Sequence, residues 1–179
     1  MTDYAERLRE NRAEKDRVFA EERGSPIPPE ERDDFDGLDY FEPNPDYRVE
    51  ATATVHDDPE PIEMETSDDR TVRYLRVVTF EFVLDGESHT LAGYRQEGGG
   101  DEVFVPFRDK TTGQQTYRGG RYMELAPDRE LADGDRVTLD FNLAYTPFCA
   151  FSDAFSCPLP PEENWLETVV PAGERDPHA

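Results

Sequence analysis

Read as apolar and polar positions, the chain changes character at Gly24. Over residues 2–23 the apolar side chains Tyr4, Leu8, Val18 and Phe19 form a thin stripe at helical spacing. Thr2 is placed to cap this helix, Asp3 and Glu6 suit its positive end, and Gly24 with Pro26 stop it. So sparse a stripe predicts a helix packed outside the domain, laid across its surface. Residues 25–45 carry Pro26, Pro28, Pro29, Pro43 and Pro45, which rule out long regular structure. Phe35, Leu38, Tyr40 and Phe41 are expected to pin this connector to the core.

From Tyr47 onward the apolar period falls to two. Val49, Ala51, Ala53 and Val55 share one face of a strand over 48–56, and the run Val72 to Leu84 is rich in Val, Tyr and Phe. Asp85-Gly86 is a hairpin signal, with a return strand over 88–94. Gly98-Gly99-Gly100 reads as a tip before a strand at 102–107; further strands are expected at 121–125 and, after Asp133-Gly134, at 136–145. The last few residues, to Ala179, read as a frayed end. Asp33-Asp34, Asp57-Asp58 and Asp68-Asp69 are read as turns. The fold class that follows is mainly β: an antiparallel barrel-like or sandwich domain of seven or eight strands, with the N-terminal α-helix packed outside. Residues 1–24 form that helix and 25–179 a single β-rich domain.

Charge changes the picture of where such a protein works. The 179 residues carry 42 acidic and 19 basic side chains, a net charge of -23. Only Lys15 and Lys110 are lysines; the other basic residues are arginines. This much like charge repels itself at low salt, whereas at molar salt the screening length falls to about 3 Å. The acid is spread along the chain, which points to halophilic adaptation in a salt-filled cytoplasm. The same charge excludes nucleic acid and anionic membranes as partners, since phosphate binding needs a basic face. No run of eighteen apolar residues spans a membrane, and Met1-Thr2-Asp3-Tyr4 lacks a signal-peptide pattern, so the expected location is cytoplasmic.

Candidate chemistry gathers in three stretches, 104–122, 139–149 and 157–165. Arg108 and Arg121 are suited to gripping a carboxylate or phosphate between them; the alternative is that each pairs with Asp109 or Asp140 and ties loop to sheet. On a strand, Asp140 and Asn142 share the face opposite Val137, Leu139, Phe141 and Leu143. Asp109 and Asp140 are the candidate acid–base groups. Asn142 and Asn164 would orient a ligand, and Tyr117 and Tyr145 would stack on it; Tyr122 is a further candidate wall. Cys149 and Cys157, seven residues apart, miss the short spacing of a zinc pair; with His89, the one central histidine, they are the candidate metal ligands. The alternatives are paired thiols, a disulfide closing the proline-rich loop, or a nucleophilic cysteine with His89 as base. No P-loop, nucleophile elbow or H-E-x-x-H motif occurs, and no cofactor is implied.

Together, F-R-D-x-T-x-G-x-x-T-Y-x-x-G-R-Y over 107–122, D-F-N-x-A-Y-x-P-x-C over 140–149 and C-P-L-P-P-x-x-N over 157–164 resemble an uncharacterised family. It is a domain of unknown function found in bacteria and haloarchaea, and the resemblance runs from about Ser25 to Glu174. Thr146 stands where that family commonly has Asn. The resemblance implies membership and no activity. The leading expectation is therefore a small-molecule binding domain for a polar or anionic ligand, with no nucleic-acid or membrane partner. The alternatives are a metal-independent hydrolase, and a structural or protein-interaction domain with no ligand.

Overall fold

The computed structural model describes residues 2–99, 102–127, 130–152 and 155–177. The readings of Gly100, His178 and the last residues, 178–179, lie outside them. Helix α1 spans Thr2–Glu21, and the strands are β1 (Arg48–Glu65), β2 (Thr71–Leu84), β3 (Glu87–Gln96), β4 (Val103–Phe107), β5 (Arg121–Leu125) and β6 (Arg136–Asp140). They form one antiparallel sheet in the order β5-β4-β3-β2-β1-β6. Among the described residues the sheet has six strands, not seven or eight. The described residues of 146–165, with Pro147, Pro158, Pro160 and Pro161, make only short 3-10 turns and isolated bridges, because proline donates nothing to a ladder.

The sheet curls into a half-barrel, and chain connectivity requires it. Asp140 ends edge strand β6, yet Tyr145 exchanges backbone hydrogen bonds of 2.9 Å with Tyr122 on the free side of β5. In a flat sheet those positions would lie six strand spacings, about 29 Å, apart. Five residues reach about 18 Å at most. The segment 141–146 therefore crosses from one edge to the other and draws the sheet closed.

The concave face holds the main core. Val78, Phe80, Phe82 and Leu84 of β2 alternate into it, with Ala51 and Ala53 of β1, Leu91, Val103, Val105, Phe107 and Leu139. The opposite face carries a second cluster, where Met64, Ala92 and Tyr94 pack with Ile62, Tyr74 and Phe104. Strands β3 and β4 are thus buried on both sides.

Two local expectations are corrected. Strand β1 runs on to Glu65, so Asp57-Asp58 is no turn; the pairing with β2 slips between Val55 and Glu60, and a bulge absorbs the acidic pair and Pro59. Asp33-Asp34 does lie in a turn, closing the 3-10 turn Pro29–Asp34 as expected. The last strand stops at Asp140, whose carboxylate accepts from the Asn142 backbone N–H at 3.0 Å and starts a 3-10 turn at Phe141–Leu143. Phe141 stays buried, and Leu143 turns out to solvent at 55% exposure.

Helix α1 packs outside the sheet as its stripe predicts. Leu8 and Phe19 are buried, and Phe19 meets Phe148 and Phe151 edge-on at 5.9 and 5.5 Å. The Tyr4 hydroxyl donates to Asp140 Oδ2 at 2.6 Å, and Lys15 pairs with Glu174. No helix among the described residues is long and apolar enough to cross a membrane.

Candidate functional site

Arg121 opens β5 directly opposite Phe107 of β4, so both point into the closed interior. Its guanidinium is 1% exposed and lies over the Phe107 ring. Nη2 donates to the carbonyl of Val170 at 2.9 Å, and Nη1 donates to those of Ala172 and Glu174. Asp109 Oδ1 is 3.6 Å away. Asp109 Oδ2 accepts from the Val170 backbone N–H at 2.6 Å and from the Thr111 hydroxyl at 2.8 Å. Glu174 accepts from the Thr146 backbone N–H at 3.0 Å and pairs with Lys15. Two cations and two carboxylates thus sit together and fasten residues 170–174 to the sheet. Burial lowers the Arg121 pKa, and Asp109 and Glu174 oppose that.

Arg108, one residue beyond Phe107, leaves on the other side and stacks over Trp165 at 4.8 Å. Strand alternation therefore separates the two arginines, and they form no shared anion clamp.

The two asparagines act as spare peptide groups. Pairing between β3 and β4 is reduced to Tyr94 with Phe104. Asn164 fills the gap beside it: Oδ1 accepts from Ala92 N–H at 2.8 Å, and Nδ2 donates to Ala92 O at 2.9 Å and Pro106 O at 2.7 Å. Asn142 does the same for Asn44, accepting from its N–H at 2.9 Å and donating to its carbonyl at 2.8 Å. Asp140 is occupied by Tyr4, Asn142 and, at 3.9 Å, Arg48.

The tyrosines divide between two clefts. Tyr145 and Tyr122 line a cleft of about 320 Å³ with Tyr74, Tyr94 and Phe104. Three of its hydroxyls are engaged: Tyr94 donates to Glu163 at 2.7 Å, Tyr122 to Pro158 O, and Tyr145 to Glu124. Glu102, Glu124 and Arg95 also line it, and the excess of carboxylate disfavours an anion there.

Tyr117 lines the second cleft, of about 550 Å³, with Ser67, Asp68, Arg118, Gly119, Cys149, Phe155 and Leu159. The turn that presents Tyr117 and Arg118 depends on the next two residues. A side chain on Gly119 would strike the Tyr117 ring at 2.6 Å. Gly120, at φ +88°, has Pro160 and the Phe107 carbonyl within 2.8 Å of where a Cβ would stand. Arg118 is exposed and makes no ion pair among the described residues; its guanidinium faces the Tyr117 hydroxyl. Asp68 accepts from the hydroxyls of Thr66 and Ser156, each at 2.6 Å, and pairs with Arg70 at 3.2 Å.

Both cysteines are free thiols, Cys149 half-buried and Cys157 buried. The Tyr117 hydroxyl is 3.6 Å from Cys149 Sγ. The hydrogen bond from the Cys157 thiol, with those from Tyr117 and Ser67, outweighs burial and lowers Cys149 to about 6. That same thiol bond, then burial, pushes Cys157 up. His89 is remote from this pair. It packs on Phe82 near the β2–β3 hairpin, whereas Cys157 binds Ser67 at the β1–β2 turn, about 35 Å away along β2. The three do not form a metal-ligand group, nor can His89 serve either thiol as a base.

Ser67 and Arg118 escape a reading that looks for charge at strand ends. The available signal for Arg118 is its place in Tyr117-Arg118-Gly119-Gly120, where paired glycines let a polar turn project.

The chain is 70% identical to an uncharacterised protein of Haloarcula marismortui known from a solution NMR structure. The match covers 97% of this chain and 95% of that one, with a TM-score of 0.76. No match is found among curated proteins. The family model described as "Protein of unknown function (DUF1684)" matches residues 33–175, and the chain belongs to that family.

Proposed function

We propose that the protein binds a small polar anion in the cleft lined by Ser67, Tyr117, Arg118 and Cys149. The supporting observation is the exposed Arg118 guanidinium, without a carboxylate partner among the described residues, at the wall of a ligand-sized cleft. In a chain so rich in acid, such a cation favours a carboxylate or phosphate as ligand. Tyr117 supplies a ring face and a hydroxyl, and Ser67 a second hydroxyl. Arg121, Asn142 and Asn164 hold the fold around the cleft and do not touch the ligand. The hydrolase alternative gains nothing from Asp109 or Asp140, whose oxygens are occupied by internal donors. A thermal-shift screen of small carboxylates and phosphates in molar KCl tests the reading. A ligand at a hundred times its Kd adds about 2.7 kcal/mol, a rise of about 5–10 °C for a chain of this size. Arg118→Ala should abolish the shift and keep the parent melting point. A hit whose shift survives Arg118→Ala rejects this cleft as the site.

We further place the protein in a salt-filled cytosol. The net charge of -23 and two unbridged thiols support this. Diluting KCl from molar to millimolar should unfold the chain cooperatively by circular dichroism. Full stability in dilute buffer overturns the salt adaptation.

A further inference from the structure

The Cys149–Cys157 pair is built asymmetrically. Cys149 lies at the end of the cleft, in the 3-10 turn Phe148–Ala150. Cys157 lies behind it, held on both sides by Ser67: its carbonyl accepts from Ser67 N–H at 3.0 Å, and its own N–H donates to Ser67 Oγ at 3.2 Å. The Cys149 backbone N–H donates to Cys157 Sγ at 3.3 Å, so the buried sulfur rests directly against the accessible cysteine. Tyr117 closes on the Cys149 sulfur from the cleft side. One sulfur is thus open to a small molecule and surrounded by donors that favour its thiolate, the reactive form. The other is shielded and stays a protonated thiol within reach of the first.

We propose that Cys149 and Cys157 are a redox-active dithiol that reduces small carboxylate-bearing disulfides entering the Arg118 cleft. The carboxylate-bearing class rests on the anion-binding reading of that cleft; the dithiol itself rests on the sulfur geometry. The Cys149 thiolate attacks one sulfur of the disulfide R–S–S–R. The S–S bond breaks, a new bond joins Cys149 to one R–S group, and the first R–S⁻ leaves and takes a proton from solvent. Cys157 then gives up its proton and attacks the Cys149 sulfur, and the second R–S⁻ departs with that proton. One external disulfide is reduced to two thiols, and the protein's two thiols are oxidised to one disulfide. A thiol donor must then reduce the protein again, so the class of reaction that supports it is thiol–disulfide exchange.

The test uses the reduced full chain in molar KCl with two probes, glutathione disulfide, which carries carboxylates, and cystamine, which carries only ammonium groups. Intact mass should show loss of two hydrogens, and both cysteines should become resistant to iodoacetamide. Cys157→Ser should instead accumulate a mixed disulfide on Cys149, and Cys149→Ser should form neither product. Cys157→Ala and Cys149→Ala, with folding checked by circular dichroism, guard against a misplaced hydroxyl. Arg118→Ala should slow the reaction with glutathione disulfide about tenfold, the loss of one charge-assisted contact, and should not slow the reaction with cystamine, whose ammonium groups a cation repels. If both thiols stay alkylatable with either probe, the dithiol is overturned, and the thermal-shift result on anions still stands or falls separately. If the internal disulfide forms with both probes at rates Arg118→Ala does not alter, the dithiol is supported and the anion-binding reading fails. A mixed disulfide that persists in the wild-type chain overturns the resolving role of Cys157.

Discussion

Arg118 and Arg121 stand three residues apart in one motif and have opposite surroundings. Arg121 begins a strand facing the closed interior, and the carbonyls of Val170, Ala172 and Glu174 take its two terminal nitrogens. Arg118 sits on the turn before that strand and faces a cleft. Side-chain chemistry is the same; backbone position decides what each can bind. A guanidinium sealed against backbone carbonyls is closed to a ligand, and removing it strands a buried carboxylate. A guanidinium on a turn contributes little to folding and keeps its hydrogen bonds for what arrives.

The largest effect should come from Arg121→Ala. It leaves Asp109 buried without its cation and the carbonyls of Ala172 and Glu174 without their donor, a cost of about 3–5 kcal/mol. Melting in molar KCl should drop by about 10 °C or more. Arg121→Lys should recover only part of this, because a single ammonium cannot span three carbonyls as a planar fork does. A parent-like melt of Arg121→Ala would erase the contrast between the two arginines.

Gly120→Ala tests the hinge between them. The new methyl would need φ +88° and would collide with Pro160 and the Phe107 carbonyl. The expected loss is about 2–3 kcal/mol, read as a lower urea midpoint. The contrast sharpens if ligand binding weakens as well, since the turn that presents Arg118 is displaced.

The sequence carries the strands well and the site poorly, for physical reasons. Strand period two shows in Val78, Phe80, Phe82 and Leu84 because one face is buried along the whole of β2. The extension of β1 past His56 is hidden, since a bulge lets Asp57, Asp58 and Pro59 sit where a turn is expected. Asn142 and Asn164 look like ligand contacts because a polar side chain in an apolar motif suggests a site. Their partners, Asn44 and Ala92, lie 98 and 72 residues away, a separation no local pattern encodes. The curl is equally silent in the strand pattern and follows only from Tyr145 reaching β5. Proximity of Cys149 to Cys157 is legible from spacing, but the roles of open and shielded sulfur depend on Ser67 from a distant turn.

Arg118→Ala should move stability by no more than about 0.5 kcal/mol, the usual scale for an exposed side chain outside any network. Its effect belongs to the ligand shift, which should vanish. A large destabilisation would show that Arg118, like Arg121, serves the fold.

The smallest expected effect is a pH dependence of stability confined to the cleft side. Cys149 ionises near 6 in the folded chain and near about 8.5 when unfolded. Its folded value is depressed, so its contribution is fully present above about pH 8.5 and is lost as pH falls toward 6. Between those limits the unfolded chain holds the extra proton, and stability rises with pH. Cys157 has the opposite sign. Its folded value is raised, so once pH passes about 8.5 the unfolded thiol ionises while the folded one does not, and stability falls. The pair should therefore give a maximum near pH 8.5, below the range where unfolded tyrosines ionise. Cys149 is only half-buried, so solvent reduces the amplitude. Urea midpoints from pH 5.5 to 9.5 in molar KCl measure it. Cys149→Ser should flatten the rising limb, and Arg121→Ala should lower the whole curve without changing its shape. A rising limb that survives Cys149→Ser would assign the titration to other groups and remove the thiolate from the cleft.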